Sequence, residues 1–384
     1  MKLFEDLEIA YAHRSNRNLN RAYFLFKTIN SKFITSVLIF LLKLALRLKL
    51  PITRVIELTV YNHFCGGSSI QTSKNTIEGL AKFNIGTILD FSVEGQKEEK
   101  DFQNCINEVL QCIEYAEDKY NIPFCVFKLT GISDTKTLMK FNDEIDIDDQ
   151  NLQNIIKRVN LICQKAYDCN VPILIDAEES WIQNTIDFIA LEMMKIYNKK
   201  KVIVYNTIQF YRKDRIEYLN NLITTQKDYK LGIKLVRGAY HKQEIERAER
   251  IKIPIPVYQN KKQTDNDCNK ALKICLKNIN QISICLGSHN EESVLTLINL
   301  IEEYKLQRND NRISFSQLYG MSDHITYNLA NDGYNVTKYV PYGPVKEVIP
   351  YLIRRADENT SISGQMSREL SNIIKERIRR KNNN

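Results

Sequence analysis

Two adjacent arginines near the C-terminus, Arg354 and Arg355, have the residue type and spacing that anion binding requires. They follow Tyr351 by three and four positions, and Glu358 follows Arg355 by three, so on a helix the four side chains share one face. Two guanidinium groups beside a phenol, oriented by a carboxylate, suit a planar carboxylate or a phosphate. A solvated helix face with intrahelical ion pairs has the same spacing, so the pattern alone leaves both interpretations open.

The helix that carries this polar face must also follow a strand and cover a core. A β-branched and aromatic run, residues 336–342, precedes it, and Gly343-Pro344 separates the two. Apolar residues fall on a different face of the helix, which we expect to pack on a core: Val345, Val348, Ile349 and Leu352.

Strand-like and helix-like runs alternate along most of the chain. The strand-like runs are 85–94, 123–130, 171–178, 202–210, 231–240, 282–289, 313–320 and 336–342. The helix-like runs are 98–120, 150–169, 180–198, 212–227, 265–280, 291–306, 323–331 and 344–358. Eight alternations with near-continuous apolar strands predict an α/β fold, a parallel (β/α)8 barrel of the TIM type.

The barrel prediction divides the chain into three parts. We assign residues 1–80 to an N-terminal helical arm, 81–364 to the catalytic barrel and 365–384 to a basic C-terminal tail. In the arm, helices are expected at 3–12, 22–50 and 53–64. The stretch 241–264, rich in Lys, Gln and Pro, is the longest predicted loop after a strand and a candidate for cofactor contact or a lid.

Polar residues stand at the carboxyl ends of these strands, where a barrel of this type carries its active site. They are Asp90 and Glu94, Lys128, Asp176 and Glu178, Gln209, Arg237 and Tyr240, His289 and Asn290, Gln317, and Tyr339. A buried strand normally avoids charge, so the set predicts an active site, although any single member could be a polar residue leading into a loop.

The formal net charge of +8 lies at the two ends of the chain. Residues 1–54 hold ten Lys/Arg against three Asp/Glu, and residues 372–384 hold five against one, which leaves 39 against 42 in between. Basic ends on a slightly acidic body lack the continuous cationic track of a nucleic-acid groove. They suit either an anionic membrane surface or solubilising tails.

Cysteine usage and the N-terminal sequence indicate a reduced, cytosolic setting. The nine cysteines include no Cys-x-x-Cys pair, which favours reduced thiols over a disulfide frame or a zinc site. Residues 1–30 are charged throughout and lack the layout of a signal peptide. The apolar run 33–42 is too short to span a membrane and predicts a buried or interfacial amphipathic helix.

The common local signatures of nucleotide, metal and hydrolase sites are missing from the sequence. It has no Gly-x-Gly-x-x-Gly after a strand, no Walker motif, no His-Glu-x-x-His and no Gly-x-Ser-x-Gly. We therefore predict no metal site and no serine hydrolase, while FAD bound by basic residues at a barrel mouth stays open.

Five stretches resemble, in the same order, motifs of the proline dehydrogenase (proline oxidase) family. They are Phe127-Lys-Leu-Thr-Gly131, Ile175-Asp-Ala-Glu-Glu179, Lys234-Leu-Val-Arg-Gly-Ala-Tyr240, Gly287-Ser-His-Asn-Glu291, and Lys338-Tyr-Val-Pro-Tyr-Gly-Pro-Val-Lys-Glu-Val348 with Tyr351-Leu-Ile-Arg-Arg-Ala-Asp-Glu-Asn359. The resemblance extends from about residue 80 to residue 364, and more weakly into the N-terminal arm.

The resemblance implies a monofunctional, FAD-dependent enzyme that oxidises L-proline to Δ1-pyrroline-5-carboxylate, the first step of proline degradation to glutamate. A hydride would pass from proline C5 to flavin N5, and the electrons would go on to a membrane quinone. Peripheral contact with the inner face of the cytoplasmic membrane is implied as well. No nucleic-acid partner is expected, nor the aldehyde dehydrogenase module of bifunctional relatives.

The resemblance also implies roles for single residues at the substrate. It places Lys128 beside the proline carboxylate and Asp176 and Tyr240 along the proline site. Leu318, Tyr339 and Tyr351 resemble pocket walls. Arg354 and Arg355 resemble a pair that clamps the carboxylate, with Glu358 as their partner.

A second group of residues resembles the FAD site: Asp176 and Ala177, Gln209 at the isoalloxazine, Gly238-Ala239, Lys261 and Thr264 at the diphosphate and adenosine, and Ser288, His289 and Asn290. Many bacterial members read Arg-Leu-Val-Lys where this chain has Lys234-Leu-Val-Arg237. Either Lys234 or Arg237 could therefore meet flavin N5, and strict strand alternation puts the two on opposite faces.

Three alternatives accompany this interpretation. A hydroxyproline dehydrogenase of the same family would differ only in pocket shape. A Schiff-base aldolase would use Lys128 or Lys234 as nucleophile and needs a lysine in an apolar pocket. A non-enzymatic basic scaffold for membranes or nucleic acid would be colourless.

Overall fold

The computed structural model describes residues 3–48, 50–92, 98–226, 228–361 and 365–383. Within these ranges it leaves out the side chains of residues 32, 43, 356–361, 365 and 366. Glu94 of the predicted strand-end set lies outside the described residues.

Eight strands form a closed barrel in chain order, which confirms the predicted (β/α)8 architecture. The strands are β1 Gly86–Phe91, β2 Phe124–Phe127, β3 Ile173–Ile175, β4 Val204–Gln209, β5 Leu231–Val236, β6 Ile282–Gly287, β7 Ile313–Leu318 and β8 Val336–Tyr342. Neighbouring strands from β1 to β7 pair in parallel, for example Ile175 beside Asn206 and Gln209 beside Val236. Both faces of the strands are covered, as their continuous apolar sequences predicted.

Helices follow the strands and extend both ends of the chain. The arm contains α1 Leu7–Tyr11, α2 Asn16–Ile29, α3 Lys32–Arg47, α4 Thr53–Ile56, a π-helical turn Glu57–Tyr61, α5 Asn62–Phe64 and α6 Lys74–Ala81. The barrel helices are α7 Glu99–Ala116, a 3₁₀ turn Leu129–Gly131, α8 Thr135–Lys140, α9 Gln150–Asp168, α10 Ser180–Tyr197, α11 Arg215–Thr225, α12 His241–Ile251, α13 Lys261–Lys277, α14 Glu291–Glu303, α15 Asp323–Asn331 and α16 Val345–Ser361. Helix α17, Gln365–Asn382, occupies the region assigned to a basic tail.

The arm differs from its prediction most clearly in the run 22–50, and α1 is also shorter than the helix expected at 3–12. The apolar run 22–50 was expected to be a single helix, but α2 ends at Ile29 and Ser31 caps α3 by accepting a hydrogen bond from the Ile34 amide. Serine competes for backbone amides, so it favours a new helix start over continuation.

The predicted loop 241–264 is also partly helical, because α12 occupies residues 241–251. This segment consists largely of good helix formers, and it buries Glu244 and Ala248, which lie one turn apart.

The chain divides into two compact units, Ile88–Ser316 on the one hand and Met1–Thr87 with Gln317–Asn384 on the other. The second unit has its own apolar core, which contains residues of α1, α2, α5 and α16. Its members include Tyr11, Phe26, Phe64, Met321, Val348, Tyr351 and Leu352. All nine cysteines of the chain are buried as free thiols.

Candidate active site

A row of alternating charges crosses the carboxyl ends of β1, β2, β3 and β5 in the unit Ile88–Ser316. Lys128 Nζ lies 3.5 Å from Asp90 Oδ1 and 3.3 Å from Asp176 Oδ2. Lys234 Nζ lies 2.6 Å from Asp176 Oδ1. These side chains are 3–12% exposed, so the row is largely shielded from water. Removing charges from water costs stability even when they are paired. A set of buried charges at strand ends is therefore typical of a functional site.

The row bears on the aldolase alternative. A Schiff-base lysine is activated by an apolar pocket that favours the neutral amine. Lys128 and Lys234 instead lie within 3.5 Å of carboxylate oxygens, so neither occupies an apolar pocket. The pairing argues against either lysine as a nucleophile.

Glu178 holds the loops around the row. Its carboxylate accepts hydrogen bonds from the amide (3.0 Å) and the hydroxyl of Thr130, in the turn after β2. Gln209 Nε2 donates to the Glu178 carbonyl at 2.6 Å, and Gln209 Oε1 accepts from the Ala239 amide at 3.4 Å. The loops that follow β2, β3 and β5 are thus joined through two buried side chains.

Arg237 lies in a second polar cluster, after the end of β5. Its guanidinium donates to Asp265 Oδ1 at 2.7 Å, to Ser288 Oγ at 2.6 Å and to Ser293 Oγ at 2.8 Å. Burial alone would raise the pKa of Asp265, but hydrogen bonds from Lys261 and Arg237 outweigh it and lower that pKa below its usual value. Lys234 and Arg237 therefore belong to different clusters.

The Arg237 cluster surrounds the start of α14. Asn290 caps this helix, because its side chain accepts a hydrogen bond from the Ser293 amide. Ser288 is buried and its hydroxyl accepts from the Asn290 amide at 3.1 Å. Serine and arginine donors beside a helix N-terminus form an arrangement that suits a phosphate group.

Gly238, in the loop after β5, lets the Tyr211 ring pack closely against the backbone. Its φ is +123°, which residues with a side chain rarely adopt, and an added Cβ would lie 2.5 Å from the ring of Tyr211. The Tyr211 amide also donates to the Arg237 carbonyl at 2.7 Å. A larger residue at position 238 would therefore displace the loop that carries Arg237 and Ala239.

The arginine pair lies on α16, in the second unit. Arg355 is 7% exposed, and its guanidinium carbon lies 5.1 Å from the centre of the Tyr351 ring. Arg354 is half-buried. The Tyr351 ring belongs to the same apolar core as Val348 and Leu352, so it bridges the polar and apolar faces of the helix. The Glu358 side chain lies outside the described residues.

The other expected residues are placed as follows. Tyr339 and Tyr240 are buried, and Leu318, at the end of β7, is half-buried beside the core of the second unit. Ala177 and Thr264 are buried, His289 and Asn290 are half-buried, and Lys261 is exposed with Asp265 2.7 Å away.

The sequence does not predict Asp265 or Ser293 as site residues, and it predicts Glu178 only as a strand-end residue. Glu178 lies two positions after Asp176, which is a usable signal for a shared face. Asp265 and Ser293 lie on helices, and only folding brings them to Arg237.

In the described part of the chain, no group of three or more His, Cys, Asp or Glu residues could hold a metal ion. Among the described helices, no single one is long and apolar enough to cross a membrane, although Asn16–Ile29 and Phe33–Arg47, bent by 94° at their junction, together have sufficient length and apolar character.

A closed parallel barrel with paired charges at its strand ends is typical of an enzyme. The chain belongs to the proline dehydrogenase family, whose family model, described as "Proline dehydrogenase", matches residues 73–368. The family resemblance expected from five motifs is thereby confirmed.

Relatives match along nearly the whole chain. The "Carbapenem antibiotics biosynthesis protein CarD" of Pectobacterium carotovorum subsp. carotovorum is 30% identical over 98% of this chain and 98% of its own. "Proline dehydrogenase 1, mitochondrial" of Dictyostelium discoideum is 31% identical over 99% of this chain and 75% of its own.

Among solved structures, the chain is similar to proline utilization A (PutA) from Bdellovibrio bacteriovorus inactivated by N-propargylglycine. The TM-score is 0.73, with 22% identity over 80% of this chain. The chain spans about a third, 33%, of that PutA chain, and this similarity supports the fold alone.

Proposed function

We propose that this protein oxidises L-proline to Δ1-pyrroline-5-carboxylate with FAD as the bound oxidant. Family membership and the paired charges at the strand ends support the proposal. In this reaction C5 loses a hydride and the ring nitrogen loses a proton, so that a C=N bond forms. FAD, when bound, supplies the acceptor for that hydride.

Basic residues would hold the substrate carboxylate. Arg354 and Arg355 would bind the proline carboxylate through guanidinium forks, which fix a planar anion better than point charges do. Lys128 would add a third positive charge for the carboxylate. Cationic surroundings favour the neutral amine of the substrate, from which the hydride can leave.

The remaining residues proposed for the proline site form its walls or carry charges at strand ends. Leu318, Tyr339 and Tyr351 would exclude water and select a five-membered ring, with Tyr240 beside the substrate. Glu358 would orient the arginine pair. Asp176, between two lysines in the structure, would line the proline site and fix both ammonium groups.

The donors around α14 fit the FAD diphosphate. Arg237, Ser288 and the capped start of α14 supply positive charge and N–H groups, and Lys261 lies on the same cluster. His289, Asn290 and Thr264 complete this set. The flavin ring system would contact Ala177, Gln209 and the Gly238-Ala239 backbone. Gly238 is closely packed against its surroundings, so only a small residue fits there.

Lys234 is the better candidate for the cation near flavin N5. It is paired with Asp176 within the charged row, whereas the Arg237 guanidinium is directed to Asp265 and two serines. The proposal therefore divides the roles: Lys234 at the reacting part of the flavin and Arg237 at its phosphates.

We further propose that the electrons pass to a quinone at an anionic bilayer that α3 contacts. Residues 9–56 contain nine Lys/Arg and no Asp/Glu. On α3 large apolar side chains face water, including Phe33 at 80% and Phe40 at 66% exposure. An exposed apolar face with surrounding positive charge suits the headgroup region of an anionic bilayer.

The main test is the visible spectrum of the purified protein before and after anaerobic addition of L-proline. We expect a flavin spectrum that L-proline bleaches and D-proline leaves unchanged. Trans-4-hydroxy-L-proline, added in parallel, identifies a hydroxyproline dehydrogenase if it bleaches the protein faster than L-proline. A colourless protein that stays colourless after incubation with FAD contradicts the proposal.

The FAD assignment has a matched pair of variants. Arg237→Met should weaken FAD binding about tenfold, which corresponds to about 1.4 kcal/mol of binding free energy, and so lower the flavin content of the purified protein. Arg312→Met removes an arginine paired with Asp310 immediately before β7 and should keep the wild-type content. Equal flavin content in the two variants would remove Arg237 from the FAD site.

Vesicle flotation tests the membrane contact. The wild type should float with anionic vesicles more than with neutral ones, and Phe33→Glu/Phe40→Glu should stay at the bottom. Tyr120→Glu changes an aromatic residue that is 88% exposed on the other unit and should float normally. Flotation of the double variant like the wild type would exclude this face.

A further inference from the structure

The turn between β7 and α15, residues 319–322, has an unusual backbone. Gly320 has a φ of +79° and Ser322 a φ of +53°, so two of its residues are in the left-handed region. At Gly320 an added Cβ would lie 2.3 Å from the carbonyl oxygen of His63. A turn of this shape persists only where its surroundings enforce it.

Hydrogen bonds from several elements hold the turn. From β8, Lys338 Nζ donates to the carbonyl of Met321 and, at 3.4 Å, to that of Leu318. From α5, His63 Nε2 lies 2.9 Å from the Gly320 carbonyl oxygen. From α17, Glu369 Oε1 accepts from the Ser322 amide at 2.5 Å.

The side chains that hold the turn are themselves buried charges. Lys338 is 1% and Glu369 3% exposed, and Lys338 Nζ also lies 3.0 Å from Asp323 Oδ1. Arg14, beyond α1, donates to Asp323 Oδ2 at 2.7 Å. Buried charges of this kind contribute little net stability compared with apolar packing, so their placement calls for another reason.

We propose that Glu369 and Lys338 are positioning residues that set the affinity for L-proline by fixing Leu318. The inference rests on the proposed function, in which Leu318 forms a wall of the proline site. Lys338 fixes the carbonyl of Leu318 itself, and Glu369 fixes the far end of the same turn. Helix α17, outside the barrel sequence, thereby determines how well the substrate is held.

The reason is geometric. Leu318 is the last residue of β7, and its side-chain direction depends on the backbone that follows it. If the turn loses one anchor it can relax from its left-handed conformations, and the wall then moves relative to the ring it should contact. Contacts with the substrate ring exist both before and during the reaction, so their loss raises KM and leaves kcat nearly unchanged.

The test compares two buried glutamates on α17. Glu369→Ala should raise the KM for L-proline about tenfold with kcat within about twofold of the wild type. Glu369→Gln keeps an oxygen acceptor for the Ser322 amide and should restore a KM within about twofold of the wild type. Glu376→Ala removes a side chain that is 0% exposed and pairs with Arg379 and Arg380, so it should lower stability without changing KM.

Hydrogen exchange gives a readout that does not depend on turnover. Peptides covering residues 317–323 should exchange faster in Glu369→Ala and at the wild-type rate in Glu376→Ala. Flavin content should stay at the wild-type level in both variants, because no proposed FAD residue belongs to this turn or to α17. If Glu369→Ala does not fold, Lys338→Met, which keeps an apolar stem of similar length, should show the same rise in KM.

The outcomes separate this inference from the proposed function. A wild type that L-proline does not bleach overturns both. A wild type that is bleached, with an unchanged KM in Glu369→Ala and Lys338→Met, overturns the positioning role alone. Equal rises in KM in Glu369→Ala and Glu376→Ala also overturn it, because the effect would then follow from loosening α17 in general.

Discussion

Asp176→Asn offers a test of the charged row, because this carboxylate lies between two lysines. The substitution keeps the shape of the side chain and removes its charge. By Coulomb's law a pair at the 2.6 Å separation of Lys234 Nζ and Asp176 Oδ1 is worth about 6 kcal/mol at an effective dielectric constant of about 20. The cost of removing both charges from water offsets much of this value.

Measured losses for breaking one partner of a buried pair are about 3–5 kcal/mol. Lys128 keeps Asp90 at 3.5 Å in the variant, so the lower end of this range applies. We expect Asp176→Asn to lower the free energy of unfolding in urea by about 3 kcal/mol. In the control Glu78→Gln, where both side chains of the pair with Lys74 are more than half exposed, the loss should stay below about 0.5 kcal/mol.

A second substitution separates charge from packing. Asp176→Asn/Lys234→Met removes both partners of the 2.6 Å pair, and replacing a buried pair by apolar groups is often neutral. The double variant should therefore be more stable than Asp176→Asn alone. A single variant as stable as the wild type, or a double variant no better than the single one, would refute the account of the row as a paired, buried set.

Three further predictions follow from other parts of the structure. Arg355→Lys should raise the KM for L-proline at least tenfold, because a point charge cannot replace a fork, and steady-state kinetics measure this. Gly238→Ala should lower flavin content at least tenfold, because its Cβ would meet the Tyr211 ring. In Asp323→Asn the free energy of unfolding should fall less steeply as the pH is lowered in the acid range. Burial alone would raise the pKa of Asp323, but the charges of Lys338 and Arg14 hold this pKa well below its usual value. This stability is present above about pH 4 and is lost as the pH falls through the folded-state pKa, as urea unfolding at several pH values would show.

Two of these predictions have a matched control variant. Lys346→Met, on the same helix as Arg355 and exposed, should leave KM unchanged. Gly79→Ala, with no atom within 4 Å of the added Cβ, should keep the flavin content and stabilise α6 slightly. The same loss of unfolding free energy at acid pH in Asp323→Asn as in the wild type would contradict the role of this carboxylate. An unchanged KM in Arg355→Lys would remove this residue from the carboxylate clamp.

The barrel was predictable because its signal is local. Each of the eight strand-like runs contains a strand of the structure, and 323–331 matches the bounds of α15. The features that were not predicted depend on distant contacts or on competing local preferences. Continuous apolar sequence conceals the break before Ser31, and the prolines after α12 conceal the helical part of 241–264.

The candidate site shows the same division. The motifs located Asp176 and Lys234, but their pairing joins positions 58 apart in the sequence. The link between Thr130 and Glu178 joins positions 48 apart, and Glu369 meets Ser322 across 47. Such contacts follow only from the closed arrangement of the strands and the path of the last helix.

The nine buried cysteines make this protein a convenient host for site-specific probes. Burial raises the pKa of the thiols of Cys163 and Cys275, so the native protein should react slowly with maleimides. A single cysteine introduced at an exposed position such as Lys346 would then take a spin label or fluorophore almost alone. No native thiol would have to be removed to follow α16 during turnover.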